Sequence, residues 1–130
     1  MTEPTAEQDE IARQVVDAAF QVHSTLGPGL LESVYEQGMV YELGLRGLPH
    51  RRQVQLPITY KTVELGSYFR LDTVVAEAVV VELKAVEKLL PVHGAQLLTY
   101  LKLSGYPLGL LINFNVPLVK DGIRRIIRSA

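Results

Sequence analysis

The sequence contains no cysteine. Disulfides, thiolate zinc sites and thiol catalysis are therefore excluded, and the absence fits a reducing cytoplasm. Long hydrophobic runs are also missing. No apolar stretch approaches the roughly 20 residues that span a bilayer, so no membrane association is expected. The opening MTEPTAEQDE carries four acids and no apolar run, unlike a secretory leader. Repeats, low-complexity segments and linkers are absent too. A length of 130 residues suits one domain, expected to span 1–130 with a flexible acidic start over residues 1–5. A hydrophobic fraction of 48% is enough for an ordinary core.

An excess of charge of one sign is lacking as well: the formal net charge is −1. That argues at first against a polyanionic partner. The placement of the charges alters this reading. Residues 1–10 hold four acids and no Lys or Arg, which leaves 13 basic and 10 acidic residues beyond them. Basic residues gather at Arg46, Arg51 and Arg52, and again at Lys120, Arg124, Arg125 and Arg128. Such clusters either hold phosphates or form an ordinary solvated surface.

Periodicity predicts the elements. A helix is expected over Ala6–Ser24, capped by Thr5 with Gln8 three residues on. Its core face is Ile11, Val15, Ala18, Ala19 and Val22. Gly27-Pro28-Gly29 breaks it, and a second helix is expected over Leu30–Leu45. Gln53–Tyr60 alternates with period two, and Pro57 favours a sheet edge. Tyr68–Val75 and Ala78–Lys84 read as further strands with a turn near Ala76-Glu77, forming an antiparallel meander. Pro91 suits the start of a third helix that ends at Gly105. Leu108–Phe114 reads as a strand covered on both faces. Asp121-Gly122 is a hairpin signal, with Ile123–Ile127 read as a strand or a short helix.

One constellation carries chemistry. Side chains alternate along a strand, so Val79, Val81 and Leu83 share one face, and Val80, Glu82 and Lys84 the other. Glu82 and Lys84 then stand about 6–7 Å apart at Cα. A turn near Ala76-Glu77 pairs positions that sum to 153 or 154, which sets Asp72 beside Glu82. Adjacent carboxylates repel unless a proton or cation lies between them. Mg²⁺ or Mn²⁺ suits such oxygen ligands, and the Leu83 carbonyl offers one more. A bound ion would activate water and polarise a phosphate, with Lys84 stabilising developing charge. The blander reading makes Glu82–Lys84 and Asp72–Arg70 simple ion pairs.

Asp72 followed after nine residues by Glu82-Leu83-Lys84 resembles the signature of the PD-(D/E)xK nuclease superfamily. Gly29-Leu30-Leu31-Glu32-Ser33-Val34-Tyr35 resembles the GxxExxY motif of a small family within it. The similarity runs through Val81–Val86, Gln96–Leu101 and Leu111–Gly122, and covers about Gln14 to Ile127. It implies an α/β, restriction-endonuclease-like αβββαβ core with a central mixed sheet flanked by helices. It implies metal ligation by Asp72 and Glu82 and a catalytic Lys84. Glu32 matches an additional metal-binding carboxylate of RecB-type relatives, or is simply an acid favoured at a helix start. Gln96 and Tyr100 match the QxxxY motif of those relatives and, four residues apart, share a helix face. Gln96, Tyr100 and Arg70 are the expected substrate-binding residues. Gly94 departs from the pattern, which often has an acid there.

The function implied is a metal-dependent nuclease acting on nucleic acid, DNA ahead of RNA. A non-catalytic nucleic-acid-binding or assembly module on the same scaffold is the competing reading. The domain offers limited surface for a duplex, so a homodimer or larger nucleoprotein partner is expected.

Overall fold

The computed structural model describes residues 3–128. The first helix, α1 (Ala6–Leu26), begins where the capping box places it. The Gln8 backbone N–H donates to Thr5 Oγ1 at 3.1 Å, and the Thr5 N–H donates to Gln8 Oε1 at 2.9 Å. The expected flexible start over residues 1–5 falls partly on residues 1 and 2, which lie outside the described residues. The second helix, α2 (Glu32–Leu45), starts two residues later than periodicity suggests, because Leu31 is extended and Gly29 has φ +95°.

Five strands form one sheet in the order β1 (His50–Tyr60), β2 (Val63–Val75), β3 (Val79–Lys84), β4 (Leu108–Asn113) and β5 (Ile123–Ile127). Helix α3 (Pro91–Ser104) connects β3 to β4, which run parallel; every other neighbouring pair is antiparallel. The edge position suited to Pro57 is the position of β1. The sheet is mixed and flanked by helices, as the resemblance implied. Among the described residues no helix is long and apolar enough to cross a membrane.

Two apolar clusters flank the sheet. Helices α1 and α2 pack Val15, Ala19, Tyr35, Met39 and Leu43 against Val79, Val81, Leu83, Leu110 and Ile112. On the other face, Leu97 and Leu101 of α3 meet Val80, Val74, Leu71, Phe69 and Leu111. Helix α3 can lie close because Gly109 has no side chain; a Cβ there would stand 3.0 Å from Leu97.

The Asp121-Gly122 pair does not form a tight hairpin turn. It closes a short 3-10 turn (Val119–Gly122) in the longer connection from β4 to β5. Glycine is required there by space, since a Cβ at Gly122 would stand 2.1 Å from the Asn113 carbonyl oxygen. Ile123–Ile127 is a strand, which settles the choice left open by sequence.

Strand β2 is five residues longer at its start than its apolar pattern suggests. It pairs with β1 along nearly its whole length but with β3 only from Thr73 to Val75. The sheet therefore forks beyond Thr73, and the β1–β2 hairpin continues as an arm. At the fork Gln53, which stands between the Arg52–Thr73 and Val54–Leu71 pairs, has φ +51°. That is an uncommon conformation for a non-glycine residue. The strands change phase here: Val74 on one side of the fork and Leu71 and Phe69 on the other all join the α3-side cluster.

Candidate active site

The site grows out of the fork. The β2–β3 turn has Ala76 and Glu77 both at positive φ, 52° and 50°, closed by the Ala78 N–H donating to Val75 O at 3.0 Å. The Arg51 guanidinium and the Tyr106 hydroxyl donate to the Glu77 carboxylate, which ties the turn down. From this turn the ladder sums to 154, as Thr73–Val81 shows. The next pair would be Asp72 and Glu82, where the backbone ladder stops and side chains take its place. The Asp72 N–H donates to Glu82 Oε1 at 3.2 Å, and the Leu83 N–H donates to Asp72 Oδ2 at 3.2 Å. The two acids are thus held beside each other by backbone groups.

Glu82 is 7% exposed. Burial pushes its carboxyl up to about 8, and the neighbouring Asp72 charge adds to the effect. Lys84 pulls the other way but makes no salt bridge with either acid. Among the described residues neither Glu82–Lys84 nor Asp72–Arg70 forms an ion pair, which removes the blander reading of these charges.

The acids open into a cleft of about 560 Å³. It brings together six of the predicted residues: Asp72, Glu82, Lys84, Gln96, Tyr100 and Arg70. Gln96 and Tyr100 come from α3, and Tyr100 stacks on Phe69 with ring centroids 5.1 Å apart. Burial raises the Tyr100 hydroxyl above its ordinary range, with the Glu82 and Asp72 charges adding and Arg70 opposing.

Glu32 and Leu83 do not line the cleft. Glu32 is an exposed residue at the start of α2. Its carboxyl is nonetheless raised, first by partial desolvation and then by Asp72, while Lys84 lowers it and Glu36 raises it further. It therefore feels the site from the rim. Leu83 turns its side chain into the cluster beneath α1 and α2 and contributes its N–H to Asp72.

The motif around Glu32 has a structural logic. Gly29, at φ +95°, gives the α1–α2 loop its turn. Tyr35 is fully buried and stacks on Phe114 at 4.6 Å. Its hydroxyl donates to Gly27 O at 2.6 Å and accepts from the Leu30 N–H at 3.1 Å. Glycine shapes the loop and tyrosine pins it, so that Glu32 begins its helix near Asp72 and Lys84. His93 acts locally at the start of α3, where its Nδ1 accepts from the Leu90 N–H at 2.9 Å.

Gln55, Ile58, Tyr68 and Phe69 complete the cleft wall and were not anticipated. They belong to the arm, and their spacing records only its alternation. Most of the clustered basic residues are engaged by acids of the same chain. Arg46 pairs with Asp17, Arg51 with Glu77, Arg52 with Glu36 and Arg125 with Asp9.

The residues fit a hard cation. Two adjacent carboxylates, one of them desolvated and neither paired with a cationic side chain, favour an ion that replaces a proton. Among the described residues no three His, Cys, Asp or Glu side chains converge as a ready metal cluster. The two carboxylates, Asp72 and Glu82, are the residues that could hold a divalent ion whose remaining ligands are water and phosphate oxygens.

A family model describing the PD-(D/E)XK nuclease superfamily matches residues 9–126. No curated protein matches the chain. Among solved structures, that of SSO0001 superposes with a TM-score of 0.55 at 19% identity, over 95% of this chain. The chain spans 63% of that protein's length, and the likeness is one of fold.

Proposed function

The chain belongs to the PD-(D/E)XK nuclease superfamily, and from that premise we propose that it is a metal-dependent nuclease that hydrolyses phosphodiester bonds of DNA. We place it in the GxxExxY family of that superfamily, on Gly29, Glu32 and Tyr35. Residues 1–130 act as one nuclease domain in the cytoplasm, and a homodimer or larger nucleoprotein partner supplies the remaining surface for the substrate.

The observation that carries the reading is the adjacent carboxyl groups of Asp72 and Glu82, without a cationic side-chain partner, sharing one open cleft with Lys84. Asp72, Glu82 and the Leu83 carbonyl would hold Mg²⁺ or Mn²⁺, with Glu32 adding negative charge from the rim. A bound divalent ion supplies a more acidic water and polarises the phosphate. Lys84 orients the attacking water and offsets charge gathering on the phosphate oxygens as the P–O bond breaks. Gln96 and Tyr100, on one face of α3, position the phosphate group, and Arg70 offers its guanidinium to the strand.

Calorimetric titration with Mn²⁺ tests the reading, run alongside a cleavage assay on DNA. Wild-type protein should bind the ion and cut in its presence. Asp72→Asn should lose at least ~10-fold in metal affinity, since it removes one of two anionic ligands. Metal affinity unchanged by that substitution would reject the assignment.

A further inference from the structure

Seven of the eight arginines are occupied within the fold. Arg13, Arg46, Arg51, Arg52 and Arg125 bind carboxylates. Arg124 and Arg128 donate to backbone carbonyls. Arg70 makes no side-chain hydrogen bond among the described residues, although it lines the cleft beside the acids.

Its neighbours share that condition. Gln55 stands directly across the β1–β2 ladder from Arg70. Tyr68 lies two residues from Arg70 on the same strand, so the three side chains occupy one face of the ribbon. Neither the Gln55 amide nor the Tyr68 hydroxyl has a partner among the described residues, and Tyr68 is 61% exposed. The opposite face explains why the arm holds its shape without them. There Val54, Leu56, Ile58, Phe69 and Leu71 pack towards α3. Both faces of the arm reach the cleft that holds Asp72 and Glu82: Ile58 and Phe69 from the packed apolar face, and an aromatic ring, a guanidinium and an amide from the unpacked polar one.

We infer that Gln55, Tyr68 and Arg70 form a nucleotide subsite that takes an unpaired strand. The inference rests on the nuclease reading and names the substrate class for it. The Tyr68 ring offers a stacking surface, which any base can use. Arg70 supplies a cation to the phosphate, and Gln55 can both donate to and accept from a base edge. A base inside a duplex has both faces covered by its neighbours, so Tyr68 can stack only where the strand is open. The cleft, about 560 Å³, has room for a nucleotide beside Tyr68. The substrate is thus a single strand, an overhang or a flap.

The test uses the full chain and a short oligodeoxynucleotide carrying 2-aminopurine, as a single strand and as its blunt duplex. EDTA prevents cutting during the binding measurement. Wild-type protein should prefer the single strand and quench the 2-aminopurine fluorescence. Tyr68→Ala should remove the quenching and weaken binding roughly 5- to 100-fold, while Tyr68→Phe keeps both. Arg70→Gln should lower the salt-dependence slope by about 0.7. Full quenching by Tyr68→Ala, or a wild-type preference for the blunt duplex, overturns this inference. A parallel cleavage assay with Mn²⁺ separates the two claims. Cutting of duplex alone rejects the subsite and leaves the nuclease reading standing, whereas neither binding nor cutting of either form rejects both.

Discussion

The two faces of β3 differ in what they ask of the same six residues. Towards α1 and α2, Val79, Val81 and Leu83 are buried among apolar neighbours. Towards α3, Val80 is followed by Glu82 and then Lys84, and the apolar layer opens into the cleft. One face contributes stability through excluded water and close packing. The other holds a carboxylate away from water without a cationic partner, which costs stability in the metal-free protein. The strand teaches that the chemistry sits where the core is interrupted, and that the intact face secures the fold against that cost.

The comparison can be broken from either side. The largest effect is expected on the polar face: Lys84→Ala should reduce cleavage ~10²–10³-fold with the circular dichroism spectrum retained. Near-wild-type cleavage would mean that the lysine has no part in the reaction. On the apolar face, Leu83→Ala should lower the unfolding free energy by ~2–4 kcal/mol, as for other buried leucines, measured by urea denaturation. A change below ~1 kcal/mol would show that this face is not the anchor.

Glu82→Gln sharpens the contrast most and has the smallest effect on stability. It retains the acceptor for the Asp72 N–H but removes the carboxyl whose ionisation burial opposes. Cleavage should be lost, yet the metal-free variant should be more stable than wild type by ~1–2 kcal/mol near neutral pH. The pH dependence fixes the sign. The folded state keeps a proton on Glu82 that the unfolded chain has already released, so raising the pH from the ordinary carboxylate range to about 8 favours unfolding. Metal-free wild-type protein should therefore lose stability across that interval, and Glu82→Gln should lose less. Equal slopes in thermal melts would refute a buried, proton-retaining Glu82.

The acid pair was legible in the sequence because register is arithmetic. A turn at Ala76-Glu77 and a period of two are enough to bring position 72 beside 82, and the ladder sum of 154 agrees. The element order was legible for similar reasons, since caps, glycines and apolar periods are local signals. The arm was not. Val63 to Ser67 has little burial to mark it and is held mainly by pairing with β1. The phase change coincides with a positive φ at Gln53, which no residue type announces. The fate of the basic clusters was equally hidden, because Arg125 meets Asp9, 116 positions away, and Arg51 meets a turn that forms only on folding.

The fork beyond Thr73 also separates the acids from the tip of the hairpin. The acids are registered by a short ladder and a pinned turn, both behind the branching point. The hairpin ahead of it hangs from the far side of Asp72. Beyond the Pro57–Tyr68 pair its tip is exposed, so residues could be added or removed there in matched pairs, while Asp72 and Glu82 remain where they are. The length of that tip is thereby set independently of the geometry of the acids.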